Sequence, residues 1–165
     1  MKLLVMGQAA KTEHHFLRNA LHVGYKTVFL TPESTEALRP HHNLIVRYQP
    51  LLTHDRLSAA MQGVQVVVVM ARFFKNRKLI QSVTQCMLAH DIRRLIVVAD
   101  ELDQSKLAAQ LRTTSLDWTI IQNYELKDDA TLGVSRADLA TFMVNQITEV
   151  MHVRSSVLVT SRLFS

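Results

Sequence analysis

Lys2-Leu3-Leu4-Val5-Met6-Gly7-Gln8-Ala9-Ala10-Lys11-Thr12-Glu13 opens the chain with an apolar run, a single glycine and a polar stretch leading into a helical pattern. A strand that turns at a glycine and feeds a helix aims the helix's first N–H groups beyond the strand end, a geometry suited to phosphate. The dinucleotide-binding version of this turn carries three glycines. Only the first is kept here, so the stretch predicts the frame of a nucleotide-binding protein with an altered phosphate loop.

The same strand-then-helix reading continues outward. Leu3–Met6 is the first strand. Phe16, Leu17, Ala20 and Leu21 recur at helical spacing, and Gly24 stands where a helix C-terminal glycine belongs. Lys26–Leu30 reads as a second strand, Thr31–Ser34 as a turn with a short helical segment to Leu38, and Leu44–Tyr48 as a third strand. Thr53 caps a helix through Leu57, Ala60 and Met61, which Gly63 ends. Val64–Met70 is a fourth strand whose run of valines indicates burial on both faces. A long helix over Lys75–His90 turns Leu79, Ile80, Val83, Cys86 and Met87 inward. Arg94–Ala99 is a strand, Asp103–Thr113 a helix, Trp118–Gln122 a strand. Ser135 caps a helix with Leu139, Ala140, Phe142, Met143 and Ile147 buried, and Ser156–Thr160 is the last strand. Such alternation predicts an α/β fold: a Rossmann-like, doubly wound parallel sheet of six to seven strands. Its ligand crevice lies beyond the carboxyl ends of the strands. That directs attention to Gly7–Glu13, Thr31–Ser34, Gln49–Thr53, Met70–Lys75, Ala99–Asp103 and Gln122–Asp128.

Bulk properties set the outer limits. At 165 residues the chain fits a single domain over 1–165 with one sizeable core. Cys86 is the one cysteine, so no internal disulfide forms, which suits a reducing, cytoplasmic setting. Met1–Met6 is too short for the apolar part of a secretion signal. The longest apolar run, Val66–Ala71, falls far short of the roughly 20 residues a membrane helix needs. The net charge of +5 favours a nucleotide or another anionic ligand. Scattered basic residues and the absence of zinc-finger spacing argue against a nucleic-acid partner. The expected state is a monomer or homodimer.

Three stretches carry a family resemblance. Val134-Ser135-Arg136-Ala137-Asp138-Leu139-Ala140-Thr141-Phe142-Met143 is close to "ISRADVAxFM". Ser115-Leu116-Asp117-Trp118-Thr119-Ile120-Ile121 is close to "SGLDWTIVRP", and Leu57–Val67 to "LAAALKGVDAV". In this order and over most of the chain, they resemble the NmrA-like, atypical short-chain dehydrogenase/reductase group, which includes NADPH-dependent flavin and biliverdin reductases. The resemblance implies a Rossmann fold and an NADP or NAD cofactor.

Site by site, the resemblance implies more than these residues deliver. The group's G-x-x-G-x-x-G falls on Gly7, Ala10 and Glu13. Ala10 adds one methyl, tolerable where its backbone angles stay in an ordinary region. Glu13 adds a carboxylate in the first helical turn, where the dipole favours it and where it competes with a ligand phosphate. An arginine usual after the second strand is replaced by Thr31-Pro32, and a Gly-Asp after the third by Gln49-Pro50. Small residues after the fourth give way to Ala71-Arg72-Phe73-Phe74. The cofactor-binding set is therefore Gly7, Gln8, Ala10, Lys11, Thr12, Met70, Ala71 and Arg72, for an NADP or NAD held weakly or not at all.

Catalytic residues are not found. The wider family's Tyr-x-x-x-Lys is absent, because Phe29, Leu52 and Asp128 stand four residues after Tyr25, Tyr48 and Tyr124. Ala99-Asp100 replaces a serine and Gln122-Asn123 an Arg-Pro, and the stretch from Asp100 to Asp117 is short. Loop carboxylates Glu101, Asp103, Asp128 and Asp129 have no spacing that demands acid–base work, and Asp138 braces its own helix.

Arg72, Lys75, Arg77 and Lys78 gather where a helix begins, against its dipole. That placement suits either an acidic partner or a solvated turn. The eight histidines include the adjacent pairs His14-His15 and His41-His42. On a helix or strand, neighbours diverge. With no Cys/His cluster, no metal site is expected. Cys86, on an apolar stripe with no histidine at its level, reads as a buried structural thiol. Trp118 and Phe142 read as core.

The expected function is a non-catalytic or weakly binding regulatory or interaction module. The alternative is an NAD(P)H-dependent reductase of the flavin, quinone or biliverdin type, in which hydride passes directly between bound rings.

Overall fold

The computed structural model describes residues 1–33, 38–70, 77–99, 104–122 and 134–159. Seven strands form one sheet: β1 (Lys2–Met6), β2 (Lys26–Thr31), β3 (Leu44–Tyr48), β4 (Val66–Met70), β5 (Arg94–Ala99), β6 (Asp117–Gln122) and β7 (Ser155–Leu158). Every pairing is parallel, in the order β3-β2-β1-β4-β5-β6-β7. The described helices are α1 (Lys11–Val23), α2 (His54–Ala60), α3 (Arg77–Ala89), α4 (Gln104–Arg112) and α5 (Arg136–Gln146). The predicted architecture is therefore observed, with seven strands.

Side-chain alternation along each strand divides the core into two. Leu4 and Met6 face a cluster built with Leu57 of α2, Val83 of α3, Leu111 of α4 and Trp118. Leu3 and Val5 face the other side, with Phe16 and Leu17 of α1 and Phe142 and Met143 of α5. The valines of β4 divide the same way, Val67 and Val69 against Val66 and Val68, so a two-sided apolar strand lies at the centre. At one edge, Ile45, Val46 and Tyr48 of β3 are exposed.

Local chemistry sets the element ends. Gly24, at φ 97°, ends α1, its N–H donating to the Leu21 carbonyl. The Thr53 hydroxyl accepts from Arg56 N at 3.3 Å, and the Ser135 hydroxyl from Asp138 N at 3.0 Å. The fourth strand begins at Val66 rather than Val64, because Val64 N bonds back to the Met61 carbonyl in the turn that Gly63 makes at φ 70°. The second strand extends to Thr31, the last begins at Ser155 and ends at Leu158, and β6 begins at Asp117. The expected helical turn before Leu38, and the start of the helix expected from Lys75, fall on residues 34–37 and 71–76, outside the described residues.

One polar residue in this frame was not singled out by sequence. Arg94 opens β5, and its guanidinium ties that strand to β6 and α5. Nε and Nη2 donate to the Gln146 carbonyl at 3.2 and 2.7 Å, and Nη1 donates to the Asp117 carbonyl and Thr119 Oγ1, both at 2.8 Å. The cation thus sits at the carboxyl end of α5, where the helix dipole favours it. Burial pushes its pKa down, and Asp117 opposes that shift. Arg154, at φ 57°, does a similar task for α4, donating to the carbonyls of Arg112, Thr114 and Leu116. Replacing Arg94 with Leu strands these carbonyls, and a loss of about 2–4 kcal/mol is expected in urea unfolding. Arg94→Lys is expected to recover less than half of it, since one ammonium cannot span the three acceptors.

Candidate functional site

The sequence-predicted loop lies at the carboxyl end of β1, between β2 and β4. The Gly7 N–H extends the ladder by donating to the Leu30 carbonyl at 3.1 Å. A Cβ built on Gly7 would lie 2.9 Å from Met70 Cγ and 3.2 Å from Glu13 Cγ. The glycine is thus required by close approach rather than by turn conformation: the end of β4 and the first turn of α1 close over the space a side chain would occupy. Met70 and Glu13 are both buried, 3% and 4% exposed.

Ala10 is the N-cap of α1, with φ −103° and ψ 172°, an extended conformation open to any residue, so its methyl introduces no backbone strain. Its side chain makes no cap hydrogen bond. Ala10 N donates to the Gln8 carbonyl at 2.9 Å, and His14 N to the Ala10 carbonyl at 3.0 Å, which fixes the turn. Lys11 is exposed at the first helical position, and Gln8 and Thr12 are half-buried. The structure therefore brings Gly7, Gln8, Ala10, Lys11, Thr12 and Met70 together at one end of the sheet. Ala71 and Arg72 lie outside the described residues, as do Lys75 and the loop carboxylates Glu101, Asp103, Asp128 and Asp129.

A second acidic residue, Glu33, lies in the Thr31–Ser34 turn that the sequence directs attention to, but the sequence gives it no role of its own. Past the end of β2, the buried Thr31 hydroxyl accepts from Glu33 N at 3.3 Å, while the Thr31 carbonyl accepts from Gln49 N at 2.8 Å. Thr31 so braces the turn and leaves Glu33 exposed beside the crevice. Its distance from a glycine turn, one strand–helix–strand unit on, is the signal that locates it.

Two expectations about single residues are corrected. Cys86 does have a histidine at its level: His54 Nδ1 is 3.5 Å from Cys86 Sγ, and Ser58 Oγ is 2.8 Å from His90 Nε2. The spacing of His54 and Ser58 on α2 matches that of Cys86 on α3 and His90 in the turn just past its end, so the two helices meet in two rungs. Burial pushes the Cys86 thiol up, the opposite of what a nucleophile needs. His41 and His42, adjacent in sequence, stack with ring centroids 4.4 Å apart, because they stand on a turn and not on a regular element. Among the described residues, no group of three or more His, Cys, Asp or Glu is placed to hold a metal ion, and no helix is long and apolar enough to cross a membrane.

No family model and no curated protein matches the chain. Solved structures do. A Rossmann-fold NAD(P)-binding family protein from Shigella flexneri superposes with a TM-score of 0.80 at 20% identity, over 95% of this chain and 91% of that one. A short-chain dehydrogenase/reductase from Veillonella parvula, in complex with NADP, gives 0.75 at 16%, over 95% and 93%. The Bordetella bronchiseptica enzyme WbmH, in complex with NAD+, gives 0.76 at 16%, over 97% and 75%. At these identities the likeness shows the Rossmann-like fold.

Two measurements check the geometry. Gly7→Ala is expected to cost about 1–3 kcal/mol in chemical unfolding. In a Met70→Ala background it should cost about 1 kcal/mol less, whereas strict additivity would contradict the contact. The native protein is expected to react with a thiol-specific disulfide reagent at neutral pH far more slowly than the urea-unfolded chain, the raised pKa keeping Cys86 protonated.

Proposed function

We propose that this chain is a dinucleotide-binding Rossmann-like module that favours NAD(H), holds it weakly and carries out no hydride transfer. The observation that carries this reading is the contact of Glu13 with Gly7. The turn keeps the strand-to-helix geometry that receives a diphosphate, yet a carboxylate-bearing side chain is buried directly beside it. Negative charge there opposes a ligand phosphate at the same N–H groups.

Selectivity follows from Glu33. An acid past the second strand accepts hydrogen bonds from a ribose 2′-hydroxyl and repels the 2′-phosphate of NADP. Support for a dinucleotide comes from the NADP and NAD+ complexes of structures with this fold. Support for the NmrA-like, atypical short-chain dehydrogenase/reductase group comes from the Val134–Met143 stretch, which here builds α5 against α1. The missing Tyr-x-x-x-Lys pair and the short β5–β6 connection favour a regulatory or interaction role over reduction. The flavin-, quinone- or biliverdin-reductase reading is the rival.

Titration with NADH and NADPH, followed by thermal shift, tests the proposal. NADH should raise the melting temperature at lower concentration than NADPH, and Glu33→Arg should reverse that order. Glu13→Gln should tighten NADH binding about tenfold, roughly 1.4 kcal/mol. With quinone, flavin or biliverdin acceptors, NADH oxidation should stay at the free-solution rate. Turnover far above that rate selects the reductase, and no thermal shift with either dinucleotide at millimolar concentration overturns both readings.

A further inference from the structure

A second concavity lies on the outer side of α1. It is a half-open groove of about 710 Å³ between the outer face of α1 and the Leu38–Leu44 segment that leads into β3. It runs the length of α1, from His14 near the first turn to His22 near the last. Leu44 pairs with Thr27 near the start of β2, so the groove reaches the amino end of the sheet, opposite the dinucleotide crevice. A doubly wound fold ordinarily places a helix between its second and third strands, beside the first helix. Residues 38–43 here form no helix.

The lining is cationic and apolar. Arg18 and Arg39 are charged and exposed, one from each wall, and no acidic side chain is among the described lining residues. Leu17, Leu21, Leu38 and Leu44 supply the apolar floor. Two imidazoles are oriented by their neighbours. Arg18 Nη2 lies 3.3 Å from His15 Nδ1, and Asn43 N donates to His41 Nδ1 at 3.1 Å. A ring that accepts at Nδ1 carries its proton on Nε2 and presents a donor there. His14 also lines the groove, and its Nε2 is buried with no hydrogen-bond partner. The volume is in the range of small-molecule sites.

We propose that this groove is a binding site for a small amphipathic anion, a carboxylate or phosphate on an apolar body, with the acid group between Arg18 and Arg39 and the body against the leucines. The site is independent of the dinucleotide crevice.

Amide-resonance titrations with octanoate, octyl phosphate, inorganic phosphate and octanol test this on the full chain. Octanoate or octyl phosphate should shift Arg18, His22, Arg39 and His41 while leaving Gly7 and Lys11 unmoved. Either should bind at least about tenfold more tightly than inorganic phosphate, since each buried methylene contributes. Arg18→Gln with Arg39→Gln should weaken binding at least about tenfold. Both substitutions are at exposed positions, and an unchanged melting temperature checks that the variant folds. Octanol binding as well as octanoate, affinity indifferent to the double substitution, or no shift of these residues at millimolar ligand would each overturn the proposal. A carboxylate preference over phosphate, or the reverse, identifies which acid the site takes.

Discussion

A missing side chain organises the centre of this protein. Because Gly7 has no Cβ, Met70 at the end of β4 and Glu13 in the first turn of α1 both close onto the same backbone. That closure fixes how α1 leaves the sheet, and hence where Phe16 and Leu17 meet Phe142 and Met143 of α5. It also fixes the direction in which the first N–H groups of α1 point. The frame and the aim of those N–H groups thus rest on one steric allowance. The frame accommodates Glu13 because the stem of its side chain fills the space beside Gly7.

Most of the fold was legible in the residues because its signals are dense and local. The valines of β4, Gly24 at the end of α1 and the hydroxyl caps Thr53 and Ser135 each state a boundary or a burial in their own chemistry. Differences are confined to element boundaries, as at Val64, where a turn hydrogen bond claims a residue whose side chain suits a strand. The connection before β3 was less readable. Thr31-Pro32-Glu33 announces a turn, but nothing there says that residues 38–43 leave a groove.

The site was legible only in part. Gly7, Ala10 and Glu13 could be named from a spaced pattern, since the backbone geometry of such a turn is tied to sequence order. The rung between Cys86 and His54, the span of Arg94 across three elements and the groove residues of α1 and Leu38–Leu44 have no such pattern. They arise from packing between segments distant in sequence, where only the assembled sheet decides which side chains meet. Glu33 falls between the two cases: its position is readable, but its exposure depends on how Thr31 braces the turn.

The strand order also carries a consequence for how the molecule assembles. β1 lies between β2 and β4, so Leu3 must wait for Val66 before its second neighbour exists. On a growing chain, the first strand is made early and completed late, and Arg94 cannot reach the Gln146 carbonyl until most of the polypeptide has emerged. Such long-separation pairing makes folding slow relative to helical bundles and leaves apolar β1 transiently bare. The interval before β4 arrives is the stage at which a nascent chain of this topology is most in need of a chaperone.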